Sequence, residues 1–147
     1  MAVELVDEST PELVEAMNTL IPQLSRSAPA LSAQEVANFV AQPGVYLFVF
    51  RSERDIDGHR PILGMLSLAT FTIPTGVRAW IEDVVVDEAA RGQGAGQALV
   101  EAALAKGKEI GAVTVDLTSR PSREAANRLY VRCGFDLRET NVYRYSM

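Results

Sequence analysis

One stretch of the 147-residue sequence has the residue types and spacing for anion chemistry. Val84-Val85-Val86-Asp87-Glu88-Ala89-Ala90-Arg91-Gly92-Gln93-Gly94-Ala95-Gly96 runs from an apolar strand through a short turn into glycines that open a helix. Glycine lets the backbone approach a ligand and take positive φ, and the first amides of a helix have no internal partner. A pyrophosphate fits such a row of donors and is favoured by the helix dipole. A P-loop is excluded because no Gly-Lys-Ser/Thr follows. A Rossmann fingerprint is excluded because the glycines come after four strands, with no acid placed on a second parallel strand. What remains is another nucleotide-diphosphate cofactor.

The other reactive side chains are few. Cys133 is the only cysteine and His59 the only histidine, so neither an internal disulfide nor a zinc site of the usual Cys/His type can be assembled, and no metal is expected. His59 lies in the turn-rich segment DIDGHR, and Cys133 has no base nearby in sequence; neither is assigned a catalytic role. Glu82 and Asp83 interrupt an otherwise buried strand pattern just before the glycine segment.

The elements that must position these residues follow from pattern. Residues 2–7 read as a short strand, and Ser9 or Thr10 can cap a helix with Pro11 in its first turn that runs to about Leu24. After the loop SRSAPA, Ser32 with Glu35 three residues on is a capping-box signature for a second helix ending near Pro43-Gly44. The β-branched and aromatic run 45–50 and the run 62–73 form an antiparallel hairpin around DIDG. A fourth strand spans 79–86. A helix over 95–110 puts Leu99, Ala102, Ala103 and Ile110 on one face, and a strand follows at 113–117. Ser122 is expected to cap a last helix carrying Ala126, Tyr130 and Cys133 on one side, and VYRYSM to close the chain as a final strand. The order βααβββαβαβ predicts one domain over 1–147, an α/β fold with a mixed, mainly antiparallel twisted sheet flanked by helices.

Composition narrows the partners. No apolar run approaches the roughly 20 residues of a membrane span, and the acidic N-terminal segment lacks signal or transit character, so a cytoplasmic location is the expectation. A net charge of −5 suits a cationic or neutral acceptor better than nucleic acid. The closing strand leaves a homodimer open.

With Arg91-Gly92-Gln93-Gly94-Ala95-Gly96 after a strand and Tyr130-Val131-Arg132-Cys133-Gly134-Phe135 near the end, the sequence resembles the Gcn5-related N-acetyltransferase (GNAT) superfamily over nearly its whole length. The resemblance implies transfer of the acetyl group of acetyl-coenzyme A (acetyl-CoA) to a primary amine. It implies that Val84-Val85-Val86 hold the cofactor, with Val84 and Val86 pairing to the pantetheine arm like an added strand. Amides from Gly92 to Gln97, a segment preceded by Arg91 and including Gln93, Gly94, Ala95 and Gly96, would hold the pyrophosphate. Many relatives carry an asparagine seven residues before the tyrosine where this chain has Arg123; Asn127 lies one turn further on and is the candidate cofactor contact from this helix.

The same resemblance makes Tyr130 the general acid that protonates the departing thiolate. Glu82, two residues before Val84 and on its face by strand alternation, would accept the amine's proton directly or through water. Asp83 faces the other way unless a bulge redirects it. The oxyanion donor is an amide of the glycine helix or that of Val84. Glu82-Asp83, the glycines and Tyr-x-x-Cys-Gly-Phe most resemble the glucosamine-phosphate N-acetyltransferases, in which the acid pair faces the amino sugar; the longer segment between Asp116 and Tyr130 leaves the acceptor open. A small-molecule amine is the first expectation. A protein lysine or N-terminus, with SRSAPA in a peptide groove, and a non-catalytic CoA-binding module are the alternatives.

Overall fold

The computed structural model describes residues 2–147. The elements are β1 (Val3–Leu5), α1 (Pro11–Leu24), α2 (Ala33–Val40), β2 (Val45–Arg51), β3 (Ile62–Ile73), β4 (Gly76–Val86), α3 (Ala95–Glu109), β5 (Thr114–Asp116) and α4 (Glu124–Arg132), with a 3-10 turn at Glu88–Ala90. Of the two candidate caps for α1 it is Thr10 that acts, its hydroxyl accepting from Leu13 N at 3.1 Å. The Ser32–Glu35 box closes in both directions at 3.0 Å.

The five strands lie in the order β1-β2-β3-β4-β5, antiparallel except for the parallel pair β4–β5. Alternation along β2 divides the interior in two. Phe48 and Phe50 join Leu66, Leu68, Leu99, Val100 and Ala103 under α3 and α4. Leu47 and Val49 join Leu13, Met17, Leu20, Val36 and Met65 under α1 and α2. A sheet covered on both faces explains why its central strands read as unbroken apolar runs rather than as alternating ones. No helix among the described residues is long and apolar enough to cross a membrane.

Two expectations fail at the C-terminal end. Ser122 does not cap α4: Arg123 stands at the N-cap position without a side-chain cap. The helix entry is fixed by a turn, Arg123 N to Arg120 O at 3.0 Å, and by Asn127 Nδ2 donating to the carbonyls of Arg120 and Arg123, each at 2.9 Å. The last segment, VYRYSM, is exposed and belongs to no strand: the sheet ends at β5.

Candidate active site

The site is built where β4 and β5 part. Their pairing covers only Arg78–Trp80 against Thr114–Asp116, so from Ile81 onward the β5 side of β4 has no strand neighbour. The opening is a cleft of about 180 Å3 bordered by Ile81–Val84, Leu117, Thr118, Arg123, Tyr130 and Leu24 of α1.

A β-bulge shapes the β4 wall. Ser67 pairs with Glu82 and Met65 with Val85, so Leu66 alone faces both Asp83 and Val84. Asp83 takes φ 50°, a left-handed conformation uncommon outside glycine and tolerated by aspartate better than by most residues. The bulge resets the alternation. Ala79 and Ile81 pack under α3 and α4, and so do Val84 and Val86, whereas Val85 packs under α1 and α2. The expectation that Glu82 shares a face with Val84 by simple alternation is thus corrected: the extra residue puts Ile81, not Glu82, in phase with Val84. Glu82 and Asp83 are both exposed and border the same cleft as Val84.

Tyr130 comes to this cleft from the last turn of α4. The residue is 7% exposed, and its ring meets Phe135 edge to face, centroids 5.9 Å apart at 63°. Burial raises the phenol's pKa above its ordinary 10.0; the Arg123 guanidinium pulls the other way and Cys133 adds to the rise. The hydroxyl is therefore protonated at neutral pH. Cys133, partly buried under α4, has its own pKa raised by burial and by Glu101, which keeps it a thiol rather than a nucleophile. His59 sits in the exposed β2–β3 turn, its backbone bridged to Ile56.

The glycine segment forms a short turn and then α3. Gly92 and Gly94 have φ of 81° and 68°. Gly94 is the N-cap of α3 and supplies no side-chain cap, and the first intrahelical bond is Ala98 N to Gly94 O at 3.0 Å. The amides of Ala95, Gly96 and Gln97 precede it and point out of the helix end. A Cβ added to Gly94 would meet nothing within 4 Å, so the approach is open. These features fit a pyrophosphate. The donor row is shorter than the sequence suggested, because Gln93 N already donates to Ala90 O at 3.1 Å. Gly96 also serves the packing. A Cβ there would stand 3.0 Å from Leu129 Cδ2, so this glycine lets α3 and α4 approach closely.

Several named side chains are engaged within the protein. Arg91 pairs with Glu88 at 3.0 Å in solvent. Gln97 Nε2 donates to Glu101 at 2.8 Å. The amide nitrogen of Asn127 is spent on the two backbone carbonyls before α4, which makes it a brace for that turn. The residues that pattern alone missed come from distant loops. The side-chain oxygen of Gln93 accepts from Glu53 N at 2.9 Å, and fully buried Ser52 ties down the same loop through Arg54 N at 3.1 Å and Arg54 O at 2.9 Å. That places the Arg54 guanidinium 3.7 Å from where a Gly92 Cβ would be. Arg123 and Thr118 join the cleft wall. The only sequence signal for Arg123 was its position in place of the relatives' asparagine, and contacts between loops some 40 residues apart leave no local pattern.

A model of the acetyltransferase (GNAT) family matches residues 13–135. No curated protein matches the chain. Among solved structures, an acetyltransferase of Trypanosoma brucei is 28% identical over 99% of both chains, with a TM-score of 0.75. Glucosamine-6-phosphate N-acetyltransferase of Arabidopsis thaliana shares the fold at a TM-score of 0.78 and 20% identity, over 99% of both chains. An aminoglycoside acetyltransferase from an uncultured soil metagenomic sample does so at 0.81 and 19%, over 99% of this chain and 94% of its own. Motif, fold and family match agree: the chain belongs to the acetyltransferase (GNAT) family and is an acetyl-CoA-dependent acyltransferase.

Proposed function

We propose that the protein moves the acetyl group of acetyl-CoA directly to the primary amine of a small molecule, with both substrates bound at once. The observation that carries this reading is the convergence, on one cleft, of a buried protonated tyrosine, an exposed carboxylate pair and a strand edge that leads to the open helix N-terminus.

The amides of Ala95, Gly96 and Gln97 hold the pyrophosphate beside the Gly92–Gly94 turn, with Arg91 at its rim. Val84, Val85 and Val86 offer the pantetheine arm a strand edge that β5 leaves free. Asn127 acts at a distance, by holding the turn that presents Arg123 and Tyr130. Glu82 takes the proton of the incoming ammonium, directly or through water, and Asp83 beside it attracts the cationic acceptor. As the new C–N bond forms and the C–S bond breaks, the Tyr130 hydroxyl gives its proton to the sulfur. Burial keeps the phenol protonated until negative charge develops on the sulfur beside it. A cytoplasmic location and a single domain across the chain are part of the same reading.

Two of the fold neighbours are named for amino-sugar and aminoglycoside acceptors, which suggests polyhydroxylated amines as the first compounds to try. The test is release of free thiol from acetyl-CoA across a panel of amino sugars, aminoglycosides, polyamines, arylalkylamines and amino acids. Turnover with one class supports the proposal. Silence across the panel, together with acetylation of lysines in a protein mixture, would replace it.

A further inference from the structure

Charges of opposite sign border the cleft without meeting. Glu82 and Asp83 stand on its β4 wall, and Arg123 stands at the start of α4, with Thr118 of the segment after β5 also on the border. Among the described residues the ion pairs are those of Arg51 with Glu4 and Glu12, Arg91 with Glu88, and Lys106 with Glu109. Glu82, Asp83 and Arg123 belong to none of them. The hydrogen bonds of Arg123 run through its backbone: its N donates to Arg120 O at 3.0 Å, and its carbonyl accepts from Asn127 Nδ2 at 2.9 Å. That leaves an anchored residue with an uncommitted guanidinium. Burial raises the pKa of Tyr130 and the Arg123 guanidinium opposes the rise, so this charge is felt at the hydroxyl.

We infer that the acceptor is an amine that also carries a carboxylate or phosphate, with its ammonium on the Glu82–Asp83 wall and its oxyanion on Arg123 and Thr118. The inference rests on the small-molecule reading above and narrows it. A guanidinium offers a planar fork matched to two oxygens of such a group, and the threonine hydroxyl can donate a further bond. The cleft, at about 180 Å3, is smaller than the roughly 300–1,000 Å3 of sites for drug-sized ligands, so one small molecule would touch both walls. An acceptor with both signs matches both walls at once. A polyamine would instead bring a second cation towards Arg123, and like charges held together disfavour binding. An amine with one carboxylate is also neutral overall, so a chain of net charge −5 does not repel it.

Matched pairs test the inference: butylamine with aminobutyrate, ethanolamine with its phosphate ester, and glucosamine with its phosphate ester. Thiol release at saturating acetyl-CoA gives kcat/KM for each member. The acid-bearing member of at least one pair is expected to lead by roughly tenfold to a hundredfold, as for a hydrogen bond to a charged group. The first pair reads a carboxylate and the other two a phosphate. In Arg123→Gln that lead should shrink towards unity, and in Arg123→Lys, which keeps the charge without the fork, part of it should remain. The side chain is exposed and caps nothing, so both variants should fold, which circular dichroism checks. Equal kcat/KM within every pair, or a lead that survives Arg123→Gln, overturns the inference and leaves transfer to small amines standing. A raised KM for acetyl-CoA in Arg123→Gln with the acceptor preference intact also overturns it, by placing Arg123 on the cofactor. Silence with all the pairs overturns it too, and turnover of any other amine would then show that the reading of the reaction survives.

Discussion

Gln93 Oε1 accepts a hydrogen bond from the Glu53 amide at 2.9 Å, which ties the glycine turn to the loop between β2 and β3. The bond reaches across 40 residues of sequence and fixes the turn from outside, while Gln93 N is held from inside by Ala90 O. If this turn receives the phosphates as proposed, being pinned on two sides it loses little freedom on binding and spends less of the binding energy on ordering.

Gln93→Ala tests that restraint. The turn becomes looser in the free protein, and the affinity for CoA should fall by roughly tenfold, about 1.4 kcal/mol. Turnover at saturating acetyl-CoA should stay within about twofold, since no reacting atom touches this side chain. Steady-state kinetics with acetyl-CoA varied will separate the two effects.

Tyr130→Phe removes the hydroxyl and keeps the ring that packs against Phe135. If the phenol protonates the leaving thiolate, kcat should drop by roughly 100-fold, with CoA binding unchanged. An unaltered kcat would take Tyr130 out of the reaction. Ultraviolet titration adds an independent check: the phenol lost in the variant should be one that ionises above 10.0 in the native protein.

Gly96→Val should act on stability first. Its side chain enters the space held by Leu129 Cδ2, 3.0 Å from the position of a Cβ, and overpacking of this kind costs about 1–3 kcal/mol. Leu129→Ala in the same chain should return part of the loss. Urea unfolding of the single and double variants closes the cycle.

Glu12 gives the expected pH dependence. Its pKa is lowered from 4.5, first by the hydrogen bond to Arg51, which also bonds Glu4 at 3.0 Å. A depressed carboxylate pKa means that the stabilisation is present above the unfolded-state value and is lost as pH falls through the folded-state value. Glu12→Gln should therefore cost stability at neutral pH, less than about 1 kcal/mol for a pair this exposed, and nothing once the native carboxyl is protonated. Urea midpoints at pH 7 and well below 4.5 measure both ends.

Features set locally are legible in the sequence. The Ser32–Glu35 box, the apolar runs of β2 and β3 and the glycine entry to α3 each depend on neighbours within a few residues, and each forms where the pattern puts it. What is not legible depends on partners far along the chain. The phase of Glu82 escapes simple alternation because the bulge at Asp83-Val84 exists only against Leu66 of β3. Ser122 has the chemistry of a cap, but the entry to α4 is decided by the turn from Arg120 and by Asn127. Residues 142–147 have strand composition, yet composition cannot supply the edge on which a strand forms.

The central claim is that the open helix end after Gly94 captures the linked phosphates of CoA. Calorimetric titration of CoA into the native protein and into Gly94→Val tests it most directly, because a β-branched side chain at φ 68° both strains the turn and fills its approach. Single-site binding to the native protein and no heat with the folded variant is the predicted pair of results. Absence of binding to the native protein, or equal affinity for both, would contradict the account.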